Sequence, residues 1–355
     1  GKAALQTQRT LLLKAEILMM LGHSDEALPI ARAVADAQEA SPALGPIHPD
    51  TLGSHYLVAE ILMMLGYVDE ALPIARAVVG AGEVNPALGP AHPNTLTACR
   101  LVAQILDKLG YSDKALSIAR RAADALEANP ALGPTHPYTL RSRHLVAQIL
   151  HELGHFDEAL PIACAIADAC EANPELGPTH PDALTSRYLV AQLLNKLGHF
   201  DEALLIARAV ADACEANPAL GPTHPNTLGS RYLVAQTLDK LGHFDQALPV
   251  ARAVADACEA NPALGPTHPD TLSSRYLVAQ LLDKLGHSDE ALTIARAVAD
   301  AEDANPALGP MHPETLASHN LVAKLLDKPG RSDEAPPIAR AVADAEEANP
   351  APSAS

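Results

Sequence analysis

Tryptophan is missing from this sequence of 355 residues, and aromatic residues of every kind make up only 3% of it. The apolar 48% is therefore mostly Ala, Leu, Val and Ile, which suits close-packed helices rather than cores built around rings. Cations are scarce too: 25 Lys and Arg stand against 43 Asp and Glu, a formal net charge of −18. Binding a phosphate backbone takes clustered cations that release counterions, so nucleic acid is not an expected partner, nor is an anionic membrane surface. The five cysteines (Cys99, Cys164, Cys170, Cys214, Cys258) are odd in number, and three of them recur 44 residues apart. Position in a repeat explains them better than pairing, and no disulfide framework is expected.

Long apolar runs are missing as well. The best, Leu11 to Leu21, contains Lys14 and Glu16 and falls short of the roughly 18 apolar residues a membrane span requires. No Gly-rich phosphate loop and no nucleophile motif is found, so neither an enzyme nor a cofactor site is expected. The compartment expected is cytoplasmic, with an extracellular one left open because the chain starts at Gly1 without a methionine.

What the chain does contain is one unit, copied. His-Pro falls at His48, His92, His136, His180, His224, His268 and His312, 44 residues apart each time, and Leu-Gly or Pro-Gly keeps the same interval from Gly22 to Gly330. The copies run approximately 1–47, 48–91, 92–135, 136–179, 180–223, 224–267, 268–311 and 312–355. In each copy after the first, which lacks His-Pro, Pro at a first helical position opens one helix. A broad stripe such as Leu272, Leu277, Val278, Leu281, Leu282 and Leu285 gives that helix an apolar face, and Gly ends it.

A second helix is expected to start at an Asp acting as N-cap (Asp25, Asp69, Asp113, Asp157, Asp201, Asp245, Asp289, Asp333). Pro29, Pro73, Pro161 and Pro249 fall in what reads as its first turn. The connector Asn261 to Thr267 is rich in turn residues, with Leu264 as an apolar plug. One such helix pair cannot offset its own conformational entropy, so neighbours must stack. The expected fold is all-α, a right-handed α-solenoid of about eight helix-turn-helix units spanning 1–355 as a single domain. The end copies are atypical: Leu11 and Leu12 stand in the first where later copies have Arg or His and Tyr, and Pro329, Pro336 and Pro337 stand in the last.

The sixteen histidines invite a metal reading, but neither the His-Pro series nor the second series (His155, His199, His243, His287) has ligand spacing within a copy, and stacked copies lie too far apart to share an ion. Capping or packing is the expected role, with no metal. Cys170, Cys214 and Cys258 share a register with Gln38, Gly82, Leu126, Glu302 and Glu346. A position that admits both Glu and Leu reads as semi-exposed.

The run from Ala279 through Leu282 and Gly286 to Ala291 resembles the tetratricopeptide repeat. His268-Pro269-Asp270-Thr271-Leu272, Leu277-Val278-Ala279-Gln280-Leu281-Leu282, Leu285-Gly286 and Asp289-Glu290-Ala291-Leu292 resemble more narrowly the long repeats of the kinesin light chain type. Two departures stand out. The family's Asn-Asn, which helps clamp bound peptide, is Tyr276-Leu277, Tyr232-Leu233 or Tyr188-Leu189 here, with only Asn320 keeping an Asn, and the unit is longer around Ala-Asn-Pro.

The resemblance implies a general protein-interaction scaffold. It turns several ladders toward a concave groove: Tyr188, Tyr232 and Tyr276; Gln104, Gln148, Gln192, Gln236 and Gln280; Asp239, Asp283 and Asp327; Lys196, Lys240 and Lys284. Tyr supplies rigid amphipathic area and Gln supplies adaptable hydrogen bonds, a combination suited to a protein or peptide partner. The alternative is that these residues only bridge neighbouring copies. Uniformity also admits a self-assembling protein whose complementary ends stack head to tail into a filament.

Overall fold

The first helix of each copy from the second onward is set by its His-Pro pair. In this computed structural model, His268 holds extended backbone angles (φ −67°, ψ 140°) with Pro269 as the first helical residue, and the Nδ1 of His268 accepts a hydrogen bond from the backbone N–H of Asp270 at 3.2 Å. Nδ1 must be unprotonated to accept, so Nε2 carries the proton. The same cap forms at His48, His92, His136, His180, His224 and His312. Histidine thus does here what Ser or Asp does at most helix starts. His268→Ala should cost about 1 kcal/mol and His268→Asp should restore it, measured by denaturant melts. An unchanged midpoint for the Ala variant would remove the capping role.

The structure describes residues 2–328 except 174–176, 219, 263 and 307, with side chains described from residue 6. It comprises two compact units, Gly1–Pro178 and Thr179–Ser355. The first holds α1 (Lys2–Met20), α2 (Ser24–Glu39), α3 (Pro49–Met64), α4 (Val68–Val84), α5 (Pro93–Lys108), α6 (Ser112–Glu127), α7 (Pro137–Glu152) and α8 (Phe156–Ala172). The second holds α9 (Pro181–Lys196), α10 (Phe200–Ala216), α11 (Pro225–Lys240), α12 (Phe244–Ala260), α13 (Pro269–Lys284), α14 (Ser288–Asp303) and α15 (Pro313–Leu326). No strand occurs among the described residues. The described residues form an all-α solenoid of seven helix pairs plus one helix. The second helix expected in the eighth copy, with Asp333, Pro336 and Pro337, lies outside the described residues, as do Pro329 and Gly330.

Within each unit every helix packs on the helices before and after it. The odd-numbered helices also touch one another (α3 on α5, α5 on α7, α9 on α11, α11 on α13, α13 on α15), whereas the even-numbered ones do not. The odd-numbered, first helices are therefore the more closely spaced row. Alanines on both rows favour close packing: Ala235 and Ala279 on first helices and Ala247, Ala251, Ala291 and Ala295 on second helices are fully buried in the core of the 179–355 unit, among Leu238, Leu281 and Leu282. Small side chains let helix axes approach, and the leucines fill what remains.

Each first helix ends as the sequence predicts. Gly286 sits at φ +85°, its N–H bonds to Asp283 O at 3.1 Å and that of His287 to Leu282 O at 2.9 Å, the paired reverse bonds of a Schellman cap. The connector is tied on both sides. Asn261 Nδ2 donates to Thr223 O at 3.0 Å and Asn305 to Thr267 O at 2.9 Å, each reaching one copy back. The hydroxyl of Thr271 donates to Gly265 O at 2.7 Å, and Leu264 packs beside Leu228, Val254 and Cys258. The residues that lengthen the repeat thus carry its copy-to-copy staple.

Three sequence expectations are corrected. The second helix has His287, or its equivalent, at the N-cap position with no side-chain cap bond, and starts one residue before the Asp, so Asp289 lies in the first turn. There it favours the helix dipole rather than closing the cap. Pro29, Pro73, Pro161 and Pro249 consequently fall in the second turn, each forfeiting one intrahelical bond. The shared cysteine register is buried, not semi-exposed: Cys170, Cys214 and Cys258 are at most 2% exposed, and Gln38, Leu126 and Glu302 behave alike. Side-chain volume at this seam is adjusted against the next first helix, where Ser54 donates to Gln38 at 2.6 Å. Gly82 leaves room there for the Thr95 side chain.

Candidate functional site

Of the Asp and Lys ladders, Asp239, Asp283 and Lys284 are spent between copies. Lys284 on α13 reaches back to Asp239 on α11, with Nζ 2.7 Å from both carboxylate oxygens, and lies 5.3 Å from the centre of the Phe244 ring. Asp283 is held by Lys324 at 3.0 Å and by Lys328. Burial opposes ionisation of Asp283, but the hydrogen bonds from the two lysines outweigh it and hold the carboxyl below its ordinary range. Lys196, Lys240 and Asp327 are exposed. At the matching seam of the 1–178 unit Asp107 faces Glu152; burial and the neighbouring Asp107 carboxyl push Glu152 up to about 7.

The tyrosines pack between consecutive first helices. Tyr188, Tyr232 and Tyr276 are half-buried against the core of the 179–355 unit. Tyr232 is hydrogen-bonded to Gln236 and Tyr276 to Gln280, one turn on in the same helix. The Tyr276 hydroxyl also lies 3.5 Å from Ala317 O of the next first helix. Gln104, in the other unit, accepts from Arg100 at 2.9 Å. Gln148 there is exposed, and Gln192 is half-buried.

One position breaks the uniformity. Where neighbouring copies carry Thr185, Ser273 and Ala317, α11 carries Gly229, and a Cβ there would stand 3.5 Å from the Tyr188 hydroxyl. The missing side chain opens a cleft of about 450 Å³ between Tyr188 and Tyr232, with Leu228 and Cys258 among its apolar lining, Gln236 and Ser273 among its polar lining, and Asp270 and Glu314 also on it. Burial first, then the nearby Tyr232 and Asp270, push the Tyr188 hydroxyl up to about 12. Burial also raises Tyr232, and Glu314 and Asp270 add to it.

A cleft of about 280 Å³ occupies the same register in the 1–178 unit, around Gly53 and Tyr56, but Asn94 and Tyr138 stand there in place of the two acids. Of the ladder residues, then, the structure gathers Tyr188, Tyr232 and Gln236. It adds Gly229, Asp270 and Glu314, which ladders of repeated residues could not single out. The signal for them is variation: both registers change from copy to copy within an otherwise constant unit.

Among the described residues no three His, Cys, Asp or Glu side chains are grouped to hold a metal ion, and no helix is long and apolar enough to cross a membrane.

Residues 8–33 match the tetratricopeptide repeat family model. No curated protein sequence matches the chain. Among solved structures, the apo quorum sensor NprR from B. thuringiensis superposes with a TM-score of 0.69 at 13% identity, covering 95% of this chain and 87% of its own. The apo form of RapI gives 0.65 at 12% identity, covering 96% of this chain and 87% of its own. A Podosopora anserina protein of kinesin light chain type, with nearly identical tetratricopeptide-like repeats, gives 0.51 at 23% identity over 60% of this chain and 96% of its own. These likenesses show a tetratricopeptide-type fold.

Proposed function

We propose that this tetratricopeptide-type chain is a non-enzymatic protein-interaction scaffold that takes a peptide or protein partner along the face of its first helices. The observation that carries the reading is the cleft between Tyr188 and Tyr232, which Gly229 leaves open. Half-buried tyrosines, one of them already oriented by Gln236, offer contact area at little entropic cost. That a quorum sensor is built on the same fold fits a sensing or docking role.

The test is a photo-crosslinking amino acid placed at exposed Lys240 on a first helix or at Leu205 on a second helix, which is 73% exposed. In an extract of the cells the protein comes from, a specific adduct is expected from position 240 and none from 205. Equal labelling at both, or labelling only at 205, would sink the first-helix reading.

A second reading is self-assembly. It is favoured by α1, which leaves Leu13, Ile17 and Met20 at 55%, 48% and 82% exposure, and by the near-identity of successive copies. Negative-stain microscopy separates the two: filaments at micromolar concentration would establish assembly, and monodisperse particles would exclude it.

A further inference from the structure

We propose that the cleft at Gly229 receives the guanidinium of an arginine presented by a basic peptide segment. This rests on the reading of the first-helix face as the docking face and names the partner's chemistry there.

Three observations converge on a cation. First, the carboxylates of Asp270 and Glu314 border the cleft, and among the described residues neither has a Lys or Arg partner. The nearby arginines are engaged elsewhere, Arg275 with Glu259 at 3.2 Å and Arg231 with Glu215. Second, the walls are tyrosine rings, whose faces attract a cation, and the Tyr188 hydroxyl has no hydrogen-bond partner among the described residues. Third, the 1–178 unit supplies the missing group itself. There Arg100 Nη2 donates to the Tyr56 hydroxyl at 3.3 Å and Nη1 to Gln104 at 2.9 Å. In the 179–355 unit Tyr232 and Gln280 stand in the places of Tyr56 and Gln104, but Tyr276 replaces the arginine. Tyr232 is retained without that cation, and it lines the opening that Gly229 creates.

Arginine is favoured over lysine because its planar, weakly hydrated guanidinium stacks on a ring while its edge binds carboxylates. The overall charge of −18 would also draw a basic segment toward the chain.

The experiment uses the full chain with ¹³C-labelled tyrosine, seven residues in all, titrated with four peptides Gly-Ser-Leu-X-Leu-Ser-Gly in which X is Arg, citrulline, Glu or Phe. The Arg peptide is expected to shift the ring signals of Tyr188 and Tyr232 and to bind at least tenfold more tightly than the citrulline peptide. Asp270→Asn with Glu314→Gln should erase that tenfold difference. Gly229→Arg, which the equivalent Arg141 shows the helix accommodates, should abolish binding by filling the cleft. If citrulline, Glu or Phe peptides shift the same rings as strongly, the cleft binds peptide but the cation assignment is overturned, and the docking face survives. If no peptide shifts Tyr188 or Tyr232, the cleft itself is overturned, whereas the crosslinking outcome at position 240 decides the scaffold reading independently.

Discussion

Leu281→Ala is expected to lower the unfolding free energy of the 179–355 unit by about 2–5 kcal/mol, the range for emptying a fully buried leucine site. Leu281 is 0% exposed within that unit's core. In a stacked array stability is close to a sum of layer and interface terms, so the loss should be felt as weakened coupling between layers and a broader transition. The equivalent place in the preceding copy shows what the core tolerates. Thr237 is also 0% exposed there, but its hydroxyl donates to Leu233 O at 2.7 Å and accepts from Asn195 at 2.8 Å. A polar residue survives because both its bonds are made; alanine at 281 would supply neither volume nor bonds. Guanidinium melts followed by circular dichroism check the prediction, and a loss below about 1 kcal/mol would mean that the layer closes over the gap.

Glu302→Gln is expected to stabilise the protein, by an amount that grows with pH. Glu302 is 2% exposed, and its Oε2 has no hydrogen-bond partner. Burial pushes its carboxyl above the ordinary range; the neighbouring Ser318 hydroxyl works the other way, and the nearby Glu314 adds to the rise. A folded-state pKa above the unfolded one makes the protonated form the better fit. The contribution is complete below the unfolded pKa and is lost as pH rises through the folded one. Glutamine keeps the shape and never ionises, and Gln38 already fills this register with Ser54 bonded to it at 2.6 Å. Thermal melts at about pH 5 and about pH 8 should show the variant's advantage only at the higher value. A gap of the same size at both would mean that Glu302 keeps its charge when buried.

Much of the fold was legible because it is local and repeated. The Pro at each first-helix start from the second copy on, the Gly at first-helix ends and the apolar stripe through Leu277, Leu281 and Leu282 each specify backbone geometry within a few residues. Seeing them recur left little room for another architecture. Where local reading failed, it did so by a residue or two, as with Asp289, because Asp is as favourable in the first turn as at the cap and the sequence alone does not separate the two.

The candidate site was legible only in part. Tyr188, Tyr232 and Gln236 were visible as members of ladders, but membership did not distinguish Asp283, which ion pairs occupy, from residues with a surface to offer. Chemistry that recurs every 44 residues is also the chemistry that neighbouring copies use on each other.

The sequence by itself determined the unit, its two helices, its caps and the necessity of stacking, since all of these follow from torsional preference and hydrophobic period along one stretch of chain. Only the tertiary structure decided which ladder residues are consumed between layers, that the cysteine register is buried, and that Gly229 opens a cleft beside Asp270 and Glu314. Those outcomes depend on distances between residues tens of positions apart, which the copy-to-copy packing sets and the local pattern does not encode.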